Sequence, residues 1–292
     1  MIRPPLHQAG LHLRRKIANK LMWVFCIGAT LIALVPLGMI MFYLLEKGLP
    51  NLTLNFFTQL PRPVGETGGG MKHAIIGTLE LIGIASAFGL PIGLLGGIYL
   101  AEFGNNKIGG VIRFTADILA SVPSIVIGML VYTTVVLHST PRPHFSALAG
   151  GIALGIMMIP TVTRTTEEMI RMVPMALREA ALSLGVSRVR TIFTVVITAA
   201  RGGIITGVLL AIARIAGETA PLLFTAFGSR YLSTDINKPI ASLPKQIFDY
   251  ASGPYPSEHA QAWTGALVLV SLILILSAAA RYATRGNSRM VR

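Results

Sequence analysis

Arg214 and Glu218 stand where the surrounding sequence is almost wholly apolar. The run Ala211-Ile-Ala-Arg214-Ile-Ala-Gly217-Glu218-Thr219-Ala-Pro221 holds one cation and one carboxylate four residues apart. On a continuous helix that spacing puts both on one face, able to pair. A second run, Pro160-Thr161-Val-Thr163-Arg164-Thr165-Thr166-Glu167-Glu168, gathers hydroxyls and a guanidinium within two turns. A charge at mid-membrane costs about 2.5–3.5 kcal/mol on insertion scales, so it usually faces a cavity or a partner. A guanidinium presents a planar fork of donors that matches phosphate or carboxylate oxygens. Threonine hydroxyls take over hydrogen bonds that water made. The chemistry these residues suit is passage of a small oxyanion along Arg214, Glu218, Arg164, Thr219 and Thr163, with Glu218 keeping Arg214 from holding a dianion too tightly. The plainer reading stays open beside it: Arg214–Glu218 as an internal ion pair holding a bundle together, and Arg164 as a marker of the cytoplasmic end of its span. Glu80 and Asp117, also within spans, are expected to be structural or interfacial.

A second constellation is Glu179-Ala180-Ala181-Leu-Ser-Leu184-Gly185. Pro174 suits the first position of a helix, where its missing N–H costs nothing. Leu177, Ala180, Ala181 and Leu184 recur at helical spacing. Gly185 is a natural C-terminal stop. A second short helix can start at Ser187, with Ile192, Phe193 and Val196 along one side. Two alanines let a partner surface approach closely, and Arg178, Arg188 and Arg190 surround it with positive charge. Taken alone, the stretch also reads as an amphipathic helix lying on a membrane surface.

The elements that position these residues are membrane spans. The chain has 292 residues, 53% hydrophobic and 13% charged, with mean hydropathy +0.67. A soluble domain carries roughly 25% charged residues. The net charge of +13 is not one nucleic-acid-binding patch, because the basic residues cluster at the ends of apolar runs. The single cysteine, Cys26, excludes an internal disulfide, and no Cys/His cluster suggests a metal. A spanning helix needs about 20 mostly apolar residues. Six candidates run over about 22–45, 74–101, 112–137, 145–170, 203–227 and 261–281. The first is too long for a signal-peptide core and has no cleavage site after it. Residues 1–21 then form a basic amino-terminal segment and 282–292 a tail, around one six-span membrane domain over 22–281.

Loop charges orient the bundle. Seventeen Lys and Arg fall on the side that holds both termini and Glu179, and seven on the other. The positive-inside rule puts both termini and the Glu179 loop in the cytoplasm. The outer loops, 46–73 and 228–260, are rich in proline, and the first also in glycine. Ser242 to Tyr250 is a candidate short surface helix. Each of the first five spans holds a proline (Pro36, Pro91, Pro123, Pro160, Pro221), which frees a backbone carbonyl and kinks a helix. Gly93, Gly96 and Gly97 permit close helix packing.

Glu179-Ala180-Ala181, then Gly185, then a hydrophobic run through Ala199 to Gly202-Gly203-Ile204, resembles the EAA loop of permease subunits in ATP-driven (ABC) importers. Ile197-Thr198 stands where that family usually has Leu-Pro. Arg214-x-x-Gly217-Glu218-Thr219-Ala220-Pro221 and Arg164-Thr-Thr-Glu-Glu168-Met169 are similar to the permeases of phosphate importers, over about Gly77 to Gly228. The resemblance implies an all-α integral membrane protein with six transmembrane helices, the type I ABC importer permease fold, with a core over about 74–281 and a coupling region over 174–200. It implies a bacterial inner (plasma) membrane location and a cytoplasmic coupling helix at Glu179, Ala180, Ala181, Leu184 and Gly185. It implies three partners: a second, related permease in a heterodimer, a homodimeric ATP-binding subunit below, and an extracytoplasmic phosphate-binding protein. It also implies that Arg214, Glu218 and Arg164 lie near the path.

No Gly-rich loop followed by Lys-Ser/Thr is present, so ATP and its Mg²⁺ would be bound by the partner, and this chain is expected to be neither an enzyme by itself nor a holder of a cofactor. Importers of sulfate, molybdate or phosphonate remain alternatives within the class. A secondary transporter or channel is the alternative from another class; it would show inverted repeats, of which the sequence has no clear sign, and would leave the Glu179 loop without a role. A non-transporting scaffold would have little use for charges inside spans.

Overall fold

The computed structural model describes residues 6–63, 66, 68–139 and 144–285. Arg3, Gly65, Arg142 and the tail beyond Arg285 lie outside them. Every regular element among the described residues is helical. Five helices are long and apolar enough to cross a membrane, or six when one bent pair is counted as a span.

The first, α1 (Leu6–Gly48), begins well before the apolar run, so most of the basic segment expected as a separate amino-terminal region is part of the same helix. It is held mainly at its Gly48 end. Thr264 Oγ1 donates to Gly48 O at 3.0 Å, and a Cβ at Gly48 would lie 3.0 Å from that of Leu267. The rest of its described surface is largely exposed apolar side chains, as suits a helix in lipid. A short α2 (Leu54–Thr58) tucks Phe56 under the outer end of α3 (Lys72–Phe103).

The centre of the bundle is α3 against α6 (Ala147–Arg171). Gly77, Leu81, Ala85, Gly89, Gly93 and Gly97 are all buried and recur every four residues. That stripe of mostly small residues lets two backbones approach, the main source of attraction between helices in lipid. The approach is close at Gly93, where a Cβ would sit 2.7 Å from the Cβ of Val162. Pro91 and Pro160 lie inside these helices without breaking them. At its outer end α6 is closed by other parts of the chain. Ala147 N and Leu148 N donate to Lys238 O and Ile236 O, both at 2.9 Å, and Ser146 Oγ accepts from Ala149 N at 3.1 Å.

Two expected spans are not continuous. The third breaks into α4 (Lys107–Ser121) and α5 (Ser124–Val131, continued as a wider turn through Val136), bent by 103°. Pro123 is the cause: it excludes the helical conformation at Val122, which is extended at φ −67°, ψ 131°. The fifth, expected over 203–227, starts earlier and stops earlier. Helix runs over 188–216, comprising α8 (Arg188–Thr191), a wide turn, and α9 (Ile197–Ala216). It ends at Ala216 with Gly217 as cap, whose carbonyl would find no N–H at Pro221 four residues on. A short α10 (Ala220–Thr225) follows and lies against α5, with Pro221 over Gly128.

Between α6 and α8 stands α7 (Met175–Ser183). The outer helix expected at Ser242–Tyr250 is α11 (Leu243–Ser252), packed through Leu243 and Tyr250 against α12 (Pro256–Arg285). Burial raises the Tyr250 hydroxyl above the ordinary tyrosine range, with Glu258 adding to the effect.

Candidate functional site

Arg214 and Glu218 do not pair. The helix carrying Arg214 ends at Ala216, so the four-residue spacing no longer puts both on one face. Arg214 instead crosses to α6, its Nη1 donating to Thr161 Oγ1 at 3.4 Å. Thr161 lies near the middle of α6, and Arg214 is exposed at that depth with no ion pair among the described residues. Glu218 is half-buried just past the helix end, and Thr219 precedes the first turn of α10. The helix break therefore leaves the guanidinium uncompensated beside a hydroxyl.

Arg164 lies one turn further in along α6. It is bound on two sides. Nε donates to Asp117 Oδ1 at 3.0 Å, Nη2 meets the other oxygen of Asp117, and Nη1 reaches Glu167 Oε2 at 3.4 Å. Asp117 thus joins α4 to α6, the interfacial place expected of it. Thr163 is not beside Arg214. It is 2% exposed, turned to α3, where its Oγ1 would lie 3.4 Å from a Cβ at Gly96. Its neighbour Thr165 faces α9 at Gly207. Of the five residues expected along a path, Arg214, Glu218 and Thr219 cluster at the break in the fifth span, Arg164 is one turn away in a network of its own, and Thr163 is packed between helices.

Next to this, toward the Arg171 end of α6, lies a second cluster of charge. Glu167, with its side chain 4% exposed, accepts from Arg113 Nε at 2.7 Å and from Arg171 Nη2 at 2.9 Å, besides Arg164. Arg164 and Arg171 stand three and four residues away on its own helix, a spacing the sequence carries, while Arg113 comes from 54 residues away and only the fold reports it.

The second constellation forms a helix, a turn and the start of the fifth span. Pro174 precedes α7 with φ −57°, ψ 139°, one position before the place expected of it. Gly185 ends the unit in the left-handed region at φ +77°, which glycine adopts at no steric cost. Of the apolar face expected, only Ala181 is buried; Leu184 is 83% exposed. Glu179, Ala180 and Ser183 are also exposed, while Met175, Arg178 and Leu182 turn to a cavity of about 740 Å³. The supposed second helix is the inner end of the fifth span. Ile192 and Val196 are buried there and Phe193 faces out. An exposed helix with two alanines and a protruding leucine, standing between two spans, offers a small convex surface to a partner. Among the described residues no group of three His, Cys, Asp or Glu is placed to hold a metal ion.

Broken spans around an exposed charge, with a short helix projecting between the fourth and fifth spans, define a membrane transport subunit. The family model described as "Binding-protein-dependent transport system inner membrane component" matches residues 93–289. The fold is similar to that of a bacterial alginate ABC transporter solved in complex with an alginate-bound periplasmic protein, with a TM-score of 0.65 at 14% identity, covering 93% of this chain and 96% of that one. The phosphate transport system permease protein PstA of Xylella fastidiosa (strain Temecula1) is 46% identical over 272 residues, 93% of this chain and 94% of the relative. The PstA of Haemophilus influenzae is 44% identical over 264 residues, 90% and 92% of the two chains. The chain belongs to the PstA family of ABC-importer permeases.

Proposed function

We propose that this chain is the membrane-spanning permease subunit of an ATP-driven importer of inorganic phosphate. It forms half of the translocation path beside a second, related permease. A homodimeric ATPase binds ATP and Mg²⁺ and receives α7 at Glu179, Ala180, Ala181, Leu184 and Gly185. A phosphate-binding protein delivers the anion to the outer loops, and both termini are cytoplasmic, where seventeen of the basic residues then fall.

The observation that carries the anion reading is Arg214: exposed in the last turn of α9, hydrogen-bonded to Thr161 near the middle of α6, and free of any ion pair among the described residues. A cation that costs a few kcal/mol in hydrocarbon is tolerated where an anion and water visit it. Irregular backbone at membrane depth is likewise tolerated where it is buried in protein or lines a water-filled cavity, and the break at Gly217–Thr219 lies beside Arg214. Arg164, already held by Asp117 and Glu167, shapes the inner half of that route.

The test is purification of the tagged chain from its native membrane in mild detergent. An ATPase and a second six-span protein should accompany it. A chain that purifies alone, repeatedly, would instead support a self-sufficient secondary transporter.

A further inference from the structure

We infer that the ion pair between Arg178 and Glu102 is the mechanical link that fastens the coupling helix to the transmembrane bundle, so that Glu102 and Arg178 are positioning residues for transport. The inference rests on the reading of α7 as the segment moved by a partner ATPase.

The link stands on what holds α7 and what does not. Ala181 is the single buried residue among its nine. The face bearing Met175, Arg178 and Leu182 looks onto the 740 Å³ cavity rather than onto packed side chains. Apolar burial, the usual glue of a short helix, is therefore nearly absent. Arg178 supplies the attachment instead. Its Nη1 meets Glu102 Oε1, and its Nη2 donates to Ile170 O at 3.0 Å. The side chains are 16% and 5% exposed, so water competes little with the pair. One guanidinium thus ties α7 to the inner ends of both α3 and α6.

The place it grips is suited to cations. A helix carries partial negative charge at its C-terminus, and its last carbonyls lack helical partners. α3 has no basic residue in its own last turn. Other elements provide three. Arg113 donates to Leu100 O at 2.9 Å and to Gly104 O at 3.0 Å. Arg188 donates to Glu102 O at 3.1 Å and stacks on Phe103. Arg178 takes the Glu102 carboxylate. Arg113 continues to Glu167 on α6 at 2.7 Å, and Glu167 to Arg164, which holds Asp117 on α4. A displacement of α7 is passed in this way to α3, the helix at the centre of the bundle, and on to α4 and α6 by charged contacts between discrete side chains.

The test uses the assembled complex with its ATPase and phosphate-binding protein in proteoliposomes, reading phosphate uptake and ATP hydrolysis together. Glu102→Gln and Arg178→Gln should hydrolyse ATP at the rate of the unaltered complex while uptake per ATP falls at least about tenfold, the equivalent of one lost interaction of 1.4 kcal/mol. Cross-linking tests the same link in a chain whose packing is little changed. Cysteines at 102 and 178, in a Cys26→Ser background, joined by a short bis-maleimide, should leave transport running, because the two residues move as one body. Uptake per ATP unchanged in both single variants, or uptake stopped by the cross-link, overturns the inference. An unaltered complex that fails to transport phosphate at the expense of ATP would instead sink the functional reading on which it rests.

Discussion

Arg214 on α9 donates to Thr161 on α6, Nη1 to Oγ1 at 3.4 Å, across 53 residues of sequence. The contact places a guanidinium and a hydroxyl side by side at the middle of the bundle, next to the break that ends α9 at Gly217. It replaces the Arg214–Glu218 pair that the four-residue spacing suggests, and leaves the charge of Arg214 available to an anion.

Gly185 is the steric limit of the unit that α7 forms. Its φ of +77° is costly for any side chain, although no atom lies within 4 Å of where a Cβ would stand. Gly185→Ala should cost about 1 kcal/mol in backbone strain and leave uptake measurable. Gly185→Trp should insert normally but lose uptake and retention of the ATPase on a column. Normal uptake by the tryptophan variant would contradict docking at this surface.

Glu167 is the acid on which the inner ends of α4 and α6 converge. Its removal leaves Arg113 with only the Leu100 and Gly104 carbonyls, and Arg171 with no carboxylate in contact. The arginines left behind are partly exposed, so the loss is about 1–2 kcal/mol. Glu167→Ala should therefore melt several degrees lower in detergent, followed by thermal aggregation on size-exclusion chromatography. Glu168→Ala, at an exposed neighbour, should melt with the unaltered chain.

The α3–α6 contact has no room at Gly93, where a Cβ would approach Val162 Cβ to 2.7 Å. Gly93→Leu should force the two helices apart, at a cost of about 1–3 kcal/mol or more, with low yield of folded protein. Gly83→Leu, where nothing lies within 4 Å of the Cβ position, should express normally. Equal yields would contradict the close packing.

Orientation is checked with alkaline-phosphatase fusions. Fusions after Ser252, at the end of α11, should be active, and those near Ser187 inactive. The reverse pattern would turn the bundle over.

The spans and the helix at Met175–Ser183 were legible because each rests on a local pattern, an apolar run in one case and an alanine pair before glycine in the other. What the sequence did not disclose depends on helix continuity and on distance along the chain. Pro123 and Pro221 were visible as kinks, but the same residue type bends the backbone by 103° after Val122 and leaves α6 unbroken at Pro160. The difference lies in whether the preceding residues stay helical against their neighbours. Once α9 stops at Ala216, the Arg214–Glu218 spacing loses its meaning. Thr163 shows the same limit: four threonines on α6 look alike in sequence, and only packing against Gly96 or Gly207 separates those turned to α3 from those turned to α9. Glu102–Arg178 and Arg113–Glu167 join residues 76 and 54 apart, beyond any periodic signal.

The most direct measurement is ATP-driven uptake of radiolabelled phosphate by the reconstituted complex, comparing the unaltered chain with Arg214→Ala. The account predicts uptake that excess phosphate competes and sulfate does not, and that falls by about tenfold to a hundredfold in the variant, the worth of a charge-assisted hydrogen bond or two, while the ATPase stays bound. Unchanged uptake in Arg214→Ala, or equal competition by sulfate, would contradict it.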